Sequence, residues 1–174
     1  MPREALEVIV GDITQLQVDA IVNAANAQLA GGGGVDGAIH RAAGAQQLHE
    51  ACRKLGGCPT GQVKLTPGFD LPANYILHAV GPVWHGGNKH EPELLASCYR
   101  NAIGICCEQG FRSVAFPAIS CGVYGYPPEK AVRIAVDSVI DAINGLELRV
   151  IFCCFQQSMA DLYRTYLANK GLNH

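Results

Sequence analysis

The feature that most constrains this chain is a regular alternation of short apolar runs with helical stretches, punctuated by glycine. Residues 6–10, 19–24, 62–66, 75–80, 113–119 and 148–155 are rich in Val, Ile and Leu and end in turn residues, so they read as strands. Residues 37–54, 91–109, 129–143 and 159–169 read as helices. Apolar residues there recur at helical spacing: Ile39, Ala42, Ala43 and Leu48 in the first, Leu95, Cys98, Ala102 and Cys106 in the second, and Val132, Val136, Val139, Ile140 and Ile143 in the third. Strands alternating with helices give an α/β sandwich with helices on both faces of a mostly parallel sheet. At 174 residues the chain is long enough for one substantial core and short for two, so residues 1–174 are expected to form one domain.

In such sheets ligands sit beyond the carboxyl ends of the strands. Two glycine loops fall there: Gly31 to Gly34, after the strand at residues 19–24, and Gly122 to Gly125, after the strand at residues 113–119. Four consecutive glycines cost much backbone entropy, and they suit a place where backbone approaches another group closely. Where such a loop runs into a helix, unpaired N–H groups face outward and favour an anion. Two such loops facing each other are suited to closing on a diphosphate. Gly32, Gly34 and Gly37 fit the dinucleotide pattern G-x-G-x-x-G, but about seven residues separate the run from the end of its strand. The acidic ribose partner is also missing, because Glu50 falls in a helix. A P-loop would need Gly-Lys-Ser/Thr, which is absent.

Charge narrows the partners. Thirteen Lys+Arg stand against fifteen Asp+Glu, a net charge of −2 with no basic cluster, so nucleic-acid binding is not indicated. The eight cysteines include the adjacent pairs Cys106-Cys107 and Cys153-Cys154 inside apolar patterns, and there is no Cys-x-x-Cys or His/Cys ligand spacing. No metal and no cofactor are expected. The thiols are expected to be reduced in a cytoplasmic protein without a membrane span.

Asp12 follows Gly11 at a strand end, where turn chemistry is the leading reading and a ligand amine the alternative. Asp36 stands at the start of a helical pattern. From the residues alone, an N-cap role worth about 1 kcal/mol and a proton-accepting role beside a diphosphate weigh evenly. His40 lies one helical turn on and is placed to orient Asp36, although a helix-surface histidine is the commoner outcome. His78, in a strand, reads as a satisfied core residue, and Trp84 with Pro82 as loop packing.

Gly11-Asp12-Ile13-Thr14, the run from Ile21 to Gly44, Gly81-Pro82-Val83-Trp84 and the run from Pro117 to Pro127 together resemble the macrodomain family. Within it, the similarity is to the MacroD-type branch, which includes bacterial O-acetyl-ADP-ribose deacetylases. Asn23-Ala-Ala-Asn26 followed by Gly-Gly-Gly-Gly-Val-Asp36-Gly-Ala-Ile-His40 is the most specific segment. The resemblance implies a three-layer α/β/α sandwich with a mixed, mostly parallel central sheet, and a cleft for an ADP-ribose-containing small molecule. It implies that Asp12 accepts from the adenine amino group beside the Ile13 backbone, and that Phe155 lies at the adenine. Gly34 and Val35 would meet the phosphates and distal ribose. Ser120, Cys121, Gly122, Val123 and Tyr124 would wrap the diphosphate, with Tyr124 against the distal ribose. Asn26 would hold a ribose hydroxyl, and Asp36 would act on the attacking water. Cys121 stands where the family commonly has Thr or Ser, a position expected to contribute its backbone N–H. The activity implied is deacetylation of O-acetyl-ADP-ribose, with removal of ester-linked mono-ADP-ribose from proteins as a further substrate class. The alternative is a reader that binds ADP-ribose without turning it over.

Overall fold

A computed structural model describes residues 6–171. The first half of the chain forms β1 (Leu6–Val10), β2 (Ala20–Ala24), α1 (Gly34–Ala43), α2 (Ala45–Leu55), β3 (Val63–Pro67) and β4 (Tyr75–Ala79). The second half forms α3 (Glu91–Gln109), β5 (Ser113–Phe116), α4 (Pro128–Ala142), β6 (Arg149–Cys154) and α5 (Gln157–Asn169). The strands make one six-stranded sheet in the order β1-β6-β5-β2-β4-β3. Every pairing is parallel except β3 with β4, which is antiparallel at the edge. This is the expected three-layer α/β/α sandwich with a mixed, mostly parallel sheet.

The period of two along the strands sorts side chains between the two faces. On β6, Val150, Phe152 and Cys154 join the core under α3, α4 and α5, while Ile151 and Cys153 join the core under α1 and α2. The larger core is held by a line of rings. Tyr99 lies 5.0 Å from Phe116, and Phe152 lies 4.7 Å from Tyr163, centroid to centroid. The same alternation turns Asn23 and His78 to the α1/α2 side, because their strand neighbours Val22 and Leu77 face the other. All eight cysteines are free thiols. Among the described residues no helix is long and apolar enough to cross a membrane.

Two boundaries differ from the sequence reading by more than two residues. The helix expected over residues 37–54 starts earlier, at Gly34, and is two helices broken at Gly44. That residue has φ 100°, a conformation outside any right-handed helix and one glycine adopts readily. Gln47 donates to the Ala43 carbonyl at 2.7 Å and satisfies the end of α1. The strand expected over residues 113–119 ends at Phe116. Pro117 has no N–H to continue a ladder, and residues 117–120 turn instead over the end of the sheet.

Candidate active site

β1, β2, β5 and β6 all end at one edge of the sheet, and the chain leaving each of them lines a single cleft of about 480 Å³. That is an ordinary volume for a small-molecule site. Ile13 stands beyond β1, Asn26 and the run from Gly32 to Asp36 beyond β2, the run from Pro117 to Tyr124 beyond β5, and Phe155 beyond β6. Every site residue named from the sequence lines this cleft except Asp12. Asp12 is exposed beside it, and its Oδ1 accepts from the backbone N–H and the hydroxyl of Thr14, at 2.9 and 2.7 Å. The turn reading of Asp12 is thus realised, between two neighbours that line the cleft.

The first loop is built by its small residues. Asn26 staples the turn before the glycines: Nδ2 donates to the Gly31 carbonyl at 2.9 Å, and Oδ1 accepts from Ala30 N–H at 3.0 Å. A second amide N–H of Asn26 stays unengaged among the described residues. A methyl on Gly32 would lie 3.5 Å from Asp36 Oδ2 and 3.9 Å from Asn26 Nδ2, so the two side chains converge on the Gly32 backbone.

Asp36 is not the helix cap. α1 is capped at Gly33 without any side-chain bond, and Asp36 sits in the first turn, where the helix dipole favours a negative charge. Its carboxylate is buried, at 5% exposure. Oδ1 accepts from Asn23 Nδ2 at 2.8 Å and lies 3.3 Å from His40 Nε2. His40 is itself buried, not a surface histidine, so the structure brings it onto Asp36. Oδ2 is left facing the Gly32 backbone.

The second loop opposes the first. Its internal bonds run from Tyr126 N–H to the Ser120 carbonyl at 2.9 Å and from Gly125 N–H to the Gly122 carbonyl at 3.0 Å. Cys121 N–H donates to the Ala118 carbonyl at 3.2 Å, so the N–H expected to face a ligand is already used inside the turn. Gly122, Val123 and Tyr124, like Ser120, have backbone N–H groups without an acceptor among the described residues. Ser120 has a positive φ of 67°, rare for a residue with a side chain, and its buried hydroxyl has no hydrogen-bond partner among the described residues. Among the described residues no Lys or Arg lines the cleft, so an anion there would be met by backbone dipoles. Burial pushes the Cys121 thiol up to about 11, and among the described residues it has no histidine partner, so the neutral thiol is favoured near neutral pH.

The loop after β4 braces this arrangement. Trp84 N–H donates to the Tyr124 carbonyl at 2.8 Å, and its ring lies 4.6 Å from that of Tyr126. Beneath it, the buried Glu91 carboxylate accepts from the N–H groups of His85, Gly87 and Lys89, at 2.7, 3.0 and 2.6 Å. Burial pushes this carboxyl up, but the backbone donors outweigh it and bring it down to about 2. Glu91, Asn23 and His78 support the site from behind. His78 is the satisfied core residue the sequence suggested, with partners on both ring nitrogens; Glu91 and Asn23 were given no role of their own, although Asn23 opens the most specific segment.

Comparison with known proteins matches residues 22–135 to the model of the Macro domain family. A macro domain-containing protein of Chlorobaculum tepidum is 57% identical over 97% of this chain and 99% of its own length. An O-acetyl-ADP-ribose deacetylase of Klebsiella pneumoniae is 53% identical over 94% of this chain and 96% of its own. The solved macrodomain of Oceanobacillus iheyensis with ADP superposes with a TM-score of 0.90 at 43% identity, covering 95% of this chain and 92% of that one.

Proposed function

The chain belongs to the Macro domain family, and from that premise we propose that it is a hydrolase that removes the acetyl group from O-acetyl-ADP-ribose, giving ADP-ribose and acetate. One observation carries the reading. Among the described residues the one carboxylate that lines the cleft, Asp36, is buried and keeps one oxygen on the cleft side, converging with Asn26 on a loop with free N–H groups and no cationic side chain. Near a diphosphate an anion contributes nothing to affinity, so its use lies in accepting a proton.

In this reading the backbone N–H groups of residues 32–36 and 122–124 hold the diphosphate, and Phe155 and Ile13 flank the adenine. Asn26 offers its unengaged N–H to a hydroxyl of the distal ribose. Water attacks the ester carbonyl while Asp36 accepts its proton. The bond from the acyl carbon to the ribose oxygen breaks, and that oxygen takes back the proton held by Asp36 and leaves as the ribose hydroxyl, with the acyl group released as acetate. Mono-ADP-ribose esterified to an acidic side chain of a protein presents the same bond with the acyl group on the protein, so it is the second substrate class. The name of the Klebsiella relative and the ADP in the Oceanobacillus structure support the choice of ligand.

The test is product formation from O-acetyl-ADP-ribose together with calorimetry on free ADP-ribose. Asp36→Ala is expected to abolish turnover, since general-base catalysis is worth about 10²–10⁴-fold, with ADP-ribose affinity kept within about an order of magnitude. Binding without product in the wild-type protein would make it a reader. Turnover retained in Asp36→Ala would remove the role of Asp36.

A further inference from the structure

Behind Asp36 a line of polar side chains crosses three strands inside an otherwise apolar core. Asn23 on β2 and His78 on β4 are direct partners in the parallel register. Thr66 lies on β3, next to β4. All three are buried, at 0%, 0% and 3% exposure, under α1 and α2. Asn23 Nδ2 lies 2.8 Å from Asp36 Oδ1 and 3.1 Å from His78 Nδ1. His78 Nε2 lies 2.9 Å from Thr66 Oγ1, which lies 3.1 Å from the Pro67 carbonyl.

The proton positions follow from chemistry. A carboxylate only accepts, so the NH₂ end of Asn23 must face Asp36. Its second hydrogen then points at His78 Nδ1, which must present a lone pair. The imidazole proton therefore sits on Nε2 and donates to Thr66, whose hydroxyl donates to the Pro67 carbonyl. Donation therefore runs outward from the Asn23 amide, to Asp36 Oδ1 on one side and through His78 and Thr66 to the Pro67 carbonyl on the other, with the Cys52 thiol 3.9 Å from His78 Nε2 as a further neighbour.

The line also leaves a cost uncompensated. Asn23 Oδ1 is buried and has no hydrogen-bond partner among the described residues, which costs stability. A core selected only for stability does better with apolar side chains of the same volume. What the orientation of Asn23 secures is one oxygen of Asp36. We propose that His78 and Thr66 are positioning residues: by holding the Asn23 amide in one orientation, they fix Asp36 Oδ1 inward and leave Oδ2 to the cleft. This rests on the hydrolase reading of Asp36.

The experiment compares three substitutions at His78. Asparagine places an acceptor near the position of Nδ1, glutamine places its amide near that of Nε2, and leucine supplies neither. His78→Leu and His78→Gln are expected to lower kcat roughly tenfold to a hundredfold, the scale of a sub-ångström misplacement of a reacting group. KM and ADP-ribose affinity should stay within about twofold. His78→Asn should recover most of kcat. Thr66→Val, nearly isosteric, should lower kcat in the same direction by a smaller factor, and it stands in if the His78 variants fail to fold. Long-range ¹H–¹⁵N spectra of the wild-type protein should show His78 as the Nε2–H tautomer.

An Nδ1–H tautomer overturns the proposal. So does a wild-type kcat in folded His78→Leu, or a set of variants whose kcat follows Tm and not the Nδ1 acceptor. Asp36→Ala is run alongside. If it keeps turnover, the hydrolase role of Asp36 fails; if it is inactive while His78→Leu is fully active, only the positioning role fails.

Discussion

Gly37, in the interior of α1, sets two effects of opposite sign against each other. Replacing a helix-interior glycine with alanine ordinarily stabilises by about 1 kcal/mol. At Gly37, however, the added methyl would lie 2.5 Å from the Gly32 carbonyl oxygen and 3.1 Å from Arg41 Nη1. The arginine can swing away, but the carbonyl is backbone and must retreat to at least 3.0 Å, and to 3.4 Å for ordinary contact. Overpacking of this kind costs about 1–3 kcal/mol, which equals or exceeds the propensity gain. The retreating residue is the one on which Asp36 Oδ2 and Asn26 Nδ2 converge. Gly37→Ala is therefore expected to leave Tm unchanged or lower it, and to reduce turnover of O-acetyl-ADP-ribose by about tenfold to a hundredfold. Gly104 in α3 is the control: it is exposed with nothing within 4 Å of an added methyl. Gly104→Ala should raise Tm by about 2–4 °C and leave turnover alone. Calorimetric scans and steady-state kinetics on both variants decide the matter. A Gly37→Ala protein as active as wild type, with Tm raised as in Gly104→Ala, would refute the reasoning.

Glu91 contributes stability that is complete above pH about 4.5 and is lost as pH falls toward about 2, because its folded carboxyl is depressed by backbone donors. Scans from pH 7 to 2.5 should show Glu91→Gln less stable at pH 7 and lacking that acid loss; parallel curves would count against it. Phe155 is 63% exposed, so Phe155→Ala should leave Tm within about 2 °C while weakening ADP-ribose binding roughly three- to tenfold by calorimetry. Cys121→Ser should keep turnover within about threefold, because a thiol held near 11 supplies no nucleophile. A loss of a hundredfold would reopen that role.

The fold class was legible because its signals are local. The period of two in Val150, Ile151 and Phe152 and the helical spacing in Val132, Val136 and Val139 each fit inside one window of sequence, and burial on both faces follows from them. The helix over residues 37–54 read as continuous because apolar spacing runs across Gly44; the break rests on a backbone angle that the pattern does not encode.

Pairing Asn26 with Asp36 was an expectation drawn from the family resemblance; the sequence by itself determined the alternation of strands and helices and the two glycine loops at the strand ends. Those features depend on residue type and near-neighbour spacing. Only the tertiary structure decided what Asp36 is. Alone it read equally as a cap; in the folded chain the cap is Gly33, and Asp36 is buried against Asn23 and His40. It also took the insertion of β4 beside β2, fifty-five positions away in sequence, to bring His78 onto Asn23. Strand order is set by which faces bury together across the whole sheet, and no window of sequence contains that energy.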